Sequence, residues 1–254
     1  DQFFFFFLLA SDGQHKRRDW FGTACCPSNI ARLMASIGNY IYASSDDGMW
    51  IQQFISSNTV LQIKDHKIPV QIDTKYPFDG LIKISFNNEK SVQTQVNIRI
   101  PGWARGEAVP GDLYRFINTA YKLPVLTING QKTNYKVVNG YAELSREWKG
   151  GDMLTFDIPM PVQRVISDSI KYNSGKIALQ RGPLVYCVEG ADHNGKVFNG
   201  ILPDETVLKP VHRSDILGGL TTLESKVPYL VVDSSKKKVK QVMGRFTAIP
   251  YYAW

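Results

Sequence analysis

Ile82-Lys83-Ile84-Ser85-Phe86 and Val96-Asn97-Ile98-Arg99-Ile100 decide the fold. In both runs apolar and polar residues alternate with period two, the pattern of an extended strand with one buried face. Leu154-Thr155-Phe156-Asp157-Ile158 repeats it further along. Short runs of this kind, bounded by Gly, Asn, Asp and Pro and spaced roughly ten residues apart, predict antiparallel strands packed into β-sandwiches.

Upstream the period changes. From Pro27, apolar residues recur at Ile30, Leu33, Met34, Ile37 and Ile41, the spacing of one helical face. Gly38 and Asn39 weaken the end of that helix, and Ser44-Ser45-Asp46-Asp47-Gly48 closes it with turn residues. Pro159-Met160-Pro161 marks a second break. The chain therefore divides into a helical segment, residues 1–45, and two β-domains, residues 46–161 and 162–254. The last of these is the smaller. It is read as a strand region from Gly175 to Val188, a loop-rich stretch from Glu189 to Glu224, and strands at Tyr229–Val232 and Lys237–Met243. No fixed-period repeat is present, which argues against a propeller.

Length and composition bound the function. A chain of 254 residues, 43% hydrophobic and 21% charged, can bury a large core. The net charge of +7 comes partly from Lys236-Lys237-Lys238 and Lys240. A nucleic-acid face would interleave basic with aromatic residues. The lysine run reads instead as a solvated turn or an edge strand that deters pairing, and no nucleic-acid partner is expected. Phe3 to Phe7, followed by Leu8-Leu9-Ala10, are too few to span a bilayer. They lack the basic lead-in of a signal peptide, and no initiator methionine precedes them, so no membrane association is expected and the chain reads as the downstream part of a longer protein. Three cysteines do not make a disulfide scaffold, and they leave the compartment open.

Two of those cysteines, Cys25 and Cys26, are adjacent and sit just before Pro27. Neighbouring cysteines are poorly placed to bridge each other. Two thiols aimed at one point suit zinc, and a helix N-terminus at Pro27 would put Cys26 near the cap, where a thiolate is favoured. Burial as two small hydrophobes is the alternative. A tetrahedral site needs two further ligands, and His15, His66, His193 and His212 are scattered. The carboxylates offer no evident catalytic acid. Glu143 and Glu147 fall on a strand and its following turn, and Asp152 reads as a turn residue at the surface. Trp20 and Phe21 could stack on a sugar or join a core, while Trp103, Trp148 and Trp254 read as core or interdomain packing.

Several stretches together resemble one family. Trp20-Phe21-Gly22-Thr23-Ala24-Cys25-Cys26-Pro27-Ser28-Asn29-Ile30-Ala31-Arg32 resembles the cysteine motif of glycoside hydrolase family 127, the β-L-arabinofuranosidases. Arg99-Ile100-Pro101-Gly102-Trp103, Arg146-Glu147-Trp148-Lys149-Gly150-Gly151-Asp152, Gln180-Arg181-Gly182-Pro183-Leu184-Val185-Tyr186 and Ile249-Pro250-Tyr251-Tyr252-Ala253-Trp254 continue the likeness in order.

The resemblance implies a mainly β chain: the end of an (α/α)6 catalytic barrel in residues 1–45, followed by two β-sandwich domains, the second incomplete at its C-terminus. It places the family's nucleophile, also a zinc ligand, at Cys25 and a second Zn2+ ligand at Cys26. Cys187 matches no ligand position. The remaining zinc ligands and the glutamate that serves as acid/base lie upstream in the family. Phe7-Leu8-Leu9 departs from the more polar segment expected there. The implied activity is a retaining exo-glycosidase acting on an arabinose-containing oligosaccharide, and a homodimer is compatible with the sequence. A non-catalytic β-sandwich that binds carbohydrate or mediates dimerisation is the competing expectation, and a structural zinc protein a third.

Overall fold

The computed structural model describes residues 25–254 apart from 119, 169–172, 196, 234, 236 and 237. The chain divides between Tyr40 and Ile41 into two compact units. Of the first, helix α1 (Cys25–Ser36) and a 3-10 turn at Ile37–Tyr40 are described. Among the described residues no helix is long and apolar enough to cross a membrane.

The second unit is almost entirely β. Its first twelve strands are β1 (Tyr42–Ser45), β2 (Gly48–Ile51), β3 (Ser57–Ile63), β4 (His66–Thr74), β5 (Leu81–Phe86), β6 (Val92–Arg99), β7 (Tyr114–Phe116), β8 (Val125–Ile128), β9 (Gln131–Lys132), β10 (Lys136–Val138), β11 (Tyr141–Trp148) and β12 (Met153–Asp157). Beyond the proline junction follow β13 (Val162–Ser167), β14 (Ala178–Arg181), β15 (Leu184–Cys187), β16 (Lys209–Arg213), β17 (Leu220–Asp233) and β18 (Lys238–Pro250).

Two sheets, β1-β2-β6-β11-β10 and β3-β4-β5-β12-β8-β9, share one apolar core. The alternation seen in the sequence builds it. Ile82, Ile84 and Phe86 of β5 and Leu154 and Phe156 of β12 are fully buried, in a register that pairs Leu154 with Ile84 and Phe156 with Ile82. Val96 and Ile98 of β6 meet them from the other sheet. Trp148 closes one end, its ring 4.5 Å from that of Phe86 and its indole N–H donated to the Thr94 carbonyl at 3.2 Å.

The strands begin earlier than the sequence suggests. Ser44 and Ser45 belong to β1, and Asp46-Asp47 form a hairpin turn into β2 rather than a helix terminus. β2 pairs in parallel with β6, so closely that a Cβ on Gly48 would stand 2.4 Å from the Gln95 carbonyl oxygen. Asn97, expected on the solvent side by alternation, is buried. Its amide donates to the Met49 carbonyl and accepts from Gln95, which satisfies the group where β2 covers it.

The remaining strands form one sheet, β16-β17-β18-β15-β14-β13-β7. β18 pairs with β17 along its length but meets β15 only through Tyr186↔Pro250 and Cys187↔Ile249. Leu179 and Tyr186 on one side of that narrow link share a core with Leu223, Val227, Phe246 and Ala248 on the other, so the two halves of the sheet pack like layers joined at a corner. The stretch read as loop carries β16 and the first turn-to-strand residues of β17.

One strand crosses over. β7, which lies in sequence among the strands of the first core, pairs with β13, setting Phe116 opposite Val165. Phe116 is buried. Arg181 donates to the Phe78 carbonyl at 3.0 Å, and the Phe78 and Tyr252 rings sit 6.0 Å apart, so the two β-bodies also touch directly.

Candidate functional site

Helix α1 opens with the cysteines rather than after them: Cys25 and Cys26 form its first turn, and Pro27 is its third residue. Proline is tolerated there because the first N–H groups of a helix have no intrahelical acceptor. Ser28 and Asn29 both donate side-chain hydrogen bonds to the Cys25 carbonyl, at 3.0 and 2.9 Å, which stiffens the turn under the sulfurs. Cys25 is exposed, Cys26 partly so, and both are free thiols.

The sulfurs stand 3.7 Å apart. Two thiolates each about 2.3 Å from a tetrahedral zinc would be separated by roughly 3.8 Å, so the pair already spans one edge of such a site. The electrostatics point the same way. The hydrogen bond shared with Cys25 pushes the Cys26 thiol above its ordinary pKa, and the charge of an ionised Cys25 adds to that. A cation between them would favour the doubly ionised pair. Among the described residues no cluster of three or more His, Cys, Asp or Glu completes a coordination sphere.

The carboxylates have structural occupations. Glu147 is held below the usual carboxylate range first by the Ser91 hydroxyl and then by Lys149. Asp215 is drawn down to about 2 by Arg213, which grips it at 2.7 Å. Glu224 is shared by Arg213 and Arg245. Asp152 is not a surface turn residue. It is buried between β11 and β12, accepting from the Lys149 backbone and the Asn129 amide.

Comparison with known proteins places this architecture. Residues 48–160 match the description "Beta-L-arabinofuranosidase, GH127 middle domain", and residues 162–254 match the "Glycoside hydrolase family 127 C-terminal domain". The non-reducing end β-L-arabinofuranosidase of Bifidobacterium longum subsp. longum is 30% identical over 94% of this chain. Among solved structures, a GH127 β-arabinofuranosidase superposes with a TM-score of 0.87 at 31% identity over 95% of the chain. A GH127 β-L-arabinofuranosidase from Geobacillus stearothermophilus T6 gives 0.80 at 33% identity over 94%. The chain belongs to glycoside hydrolase family 127.

It spans 36% of the Bifidobacterium relative and 38% and 36% of the two structures, so it corresponds to the C-terminal portion of those hydrolases. The two family 127 domains account for the β-bodies, and α1 with its cysteines lies ahead of both. The barrel portion implied by the resemblance is not contained in this chain.

α1 carries the expected apolar stripe but buries none of it: Ile30, Leu33 and Met34 are 62%, 51% and 59% exposed. The helical periodicity was legible; the surface that would cover it is not among the described residues. Trp20, Phe21 and His15 lie outside the described residues. Cys187 is unsuited to ligation or attack, because burial, with Glu189 nearby, pushes its thiol up to about 12. His193 is buried, its Nδ1 bonded to the Glu189 carbonyl and its Nε2 accepting the Thr247 N–H, so neither nitrogen is available to a metal. Trp148 and Trp103 belong to or pack on the first core, and Trp254 stacks on Tyr251.

Proposed function

We propose that this chain is the C-terminal portion of a retaining exo-glycosidase that hydrolyses β-L-arabinofuranosides of plant glycans, with Cys25 as nucleophile and Cys25 and Cys26 as two of the zinc ligands. The observation that carries the reading is the pair of free sulfurs 3.7 Å apart in the first turn of α1. Its position ahead of two family 127 domains, and the activities named for the relatives, support the substrate class.

In this reading the Cys25 sulfur attacks the anomeric carbon, the bond to the leaving oxygen breaks, and a thioglycoside forms on the enzyme. A general acid on the rest of the protein protonates the departing oxygen, and water later releases the sugar with retained configuration. Bound zinc supplies the positive charge that keeps both sulfurs deprotonated at neutral pH. Cys26 holds its position beside the nucleophile. The exposed Ile30, Leu33 and Met34 face is the contact by which α1 docks against other helices of the catalytic domain.

The test uses the full-length protein. Zinc content is measured for wild type and Cys26→Ser, and turnover of a p-nitrophenyl β-L-arabinofuranoside for wild type and Cys25→Ala. Cys26→Ser is expected to lose most of its zinc, and Cys25→Ala all measurable turnover. Undiminished zinc in the first variant, or near-normal turnover in the second, would overturn the assignment.

A further inference from the structure

At the junction of the two β-bodies lies a cavity of about 420 Å³. It falls within the size range of small-molecule sites, roughly 300–1,000 Å³. Its walls come from both bodies. Trp103 belongs to the first, Phe116 to the crossing strand β7, Met160 to the proline junction, and Gln163 and Gln180 to β13 and β14. Tyr121 and Lys122 line it from the loop that leads back from β7.

The polar groups in this wall are unusual for a packing defect. Gln163 and Gln180 are cross-strand partners, each 9% exposed. Gln180 donates to the Gly182 carbonyl at 2.8 Å, so its amide is oriented. Among the described residues the Gln163 side chain has no hydrogen-bond partner, while its backbone pairs with Gln180, and its polar atoms are not sealed inside the protein. Its amide is therefore free to bond what fills the space it lines, water or a ligand hydroxyl.

The apolar groups are equally placed. Tyr121 is 51% exposed, yet its ring is seated against Gly106, where an added Cβ would come within 2.9 Å of the Tyr121 ring. Gly106 has φ +87, a left-handed conformation that glycine takes without strain. Gly182 likewise leaves room for Met160, whose sulfur is 3.0 Å from a Cβ built there.

We infer that this cavity is a sugar site, holding one or two neutral sugar rings of a glycan chain. Aromatic side chains offer the apolar face that a sugar ring stacks on, and side-chain amides both donate to and accept from hydroxyls. Among the described lining residues Lys122 is the single charged group, and an ammonium donates to a hydroxyl as well. A carboxylate-rich or phosphate ligand would meet only that one cation. Its described lining residues all come from the β-bodies, and its assignment does not rest on the catalytic reading.

The 254-residue chain itself provides the test, with saturation-transfer NMR and titration by L-arabinose, arabinotriose, xylotriose and cellotriose. At least one of these sugars is expected to bind. Tyr121→Ala and Gln163→Leu should each weaken that binding roughly three- to tenfold, the worth of one net hydrogen bond or its equivalent in stacking. Gln163→Leu should leave the melting temperature unchanged or raised, because the amide it removes has no protein partner. If that variant misfolds, Tyr121→Ala alone decides. The double variant Cys25→Ala, Cys26→Ser should bind as wild type does. No binding of any of the four sugars, binding untouched by Tyr121→Ala, or binding lost with the cysteines would each overturn the inference.

Discussion

Replacing Asp152 tests the reasoning about the first β-body most directly. Its carboxylate accepts the Lys149 N–H at 3.0 Å and the Asn129 amide at 2.8 Å, with Arg146 at 3.4 Å. Asn129 in turn accepts the Met153 N–H at 2.9 Å, and the Asp152 carbonyl receives the Phe86 N–H. The carboxylate thus ties the β11–β12 turn to the β8–β9 turn, while the Asp152 backbone carbonyl holds the end of β5. In Asp152→Ala the Lys149 N–H and the Asn129 amide lose their acceptor, at about 1–3 kcal/mol for each buried group, while the half-exposed Arg146 returns to water. The expected loss is about 2–5 kcal/mol. Asp152→Asn keeps the shape but turns one acceptor into a donor, and should cost about 1–3 kcal/mol.

The pH dependence gives an independent check. Burial alone would raise the Asp152 pKa, but the Lys149 N–H, the Asn129 amide and the Arg146 charge outweigh it and hold the carboxyl below the usual range. A group whose folded pKa lies below its unfolded value of about 3.9 stabilises fully above that value and loses the contribution as pH falls through the folded one. Urea midpoints followed by tryptophan fluorescence should therefore separate wild type from Asp152→Asn by a constant amount near neutrality. That gap should shrink below about pH 4. A gap that is absent at pH 7, or that stays constant down to pH 3, would refute the account.

Gly48→Ala should destabilise by about 1–3 kcal/mol, since its Cβ would meet the Gln95 carbonyl oxygen at 2.4 Å and push the parallel β2–β6 pair apart. Gly38→Ala, with nothing within 4 Å, is the matched control and should be neutral or slightly stabilising in thermal melts. At pH 8 without added zinc, a thiol reagent should label exposed Cys25 promptly and spare the partly buried Cys187, whose thiol is pushed up to about 12, until the protein is unfolded; mass mapping showing fast native labelling of Cys187 would contradict that shielding.

What the sequence made legible follows from what is local. The alternation of Ile82, Ile84 and Phe86 is a property of five consecutive residues, and those three side chains are all in the core. The cysteine pair was visible for the same reason, although its sulfur separation required a helical turn to set. Asp152 and Asn97 were misread because their burial is decided by residues far away in sequence, Asn129 in the β8–β9 turn for one and Met49 of β2 for the other. β7 was invisible on local grounds: three residues amid glycine and proline carry no period, and only pairing with β13 makes them a strand. Lys238, read as part of a solvated turn or edge strand, begins β18 opposite Asp233, where β18 is paired on that side alone.

That same strand explains why the junction can hold a shaped cavity at all. Two bodies joined only by Pro159-Met160-Pro161 could rock about the linker, and any space between them would open and close. β7 removes that freedom, because residues leaving the first body end as the edge strand of the second and return through the Tyr121 loop. The Arg181–Phe78 hydrogen bond and the Phe78–Tyr252 contact bind the bodies at further points. A wall pinned in this way positions Gln163 and the Tyr121 ring before any ligand arrives, so the cost of ordering the site is met in folding rather than in binding. Weak sugar contacts become usable under that condition, since only the surplus over ordering appears as affinity.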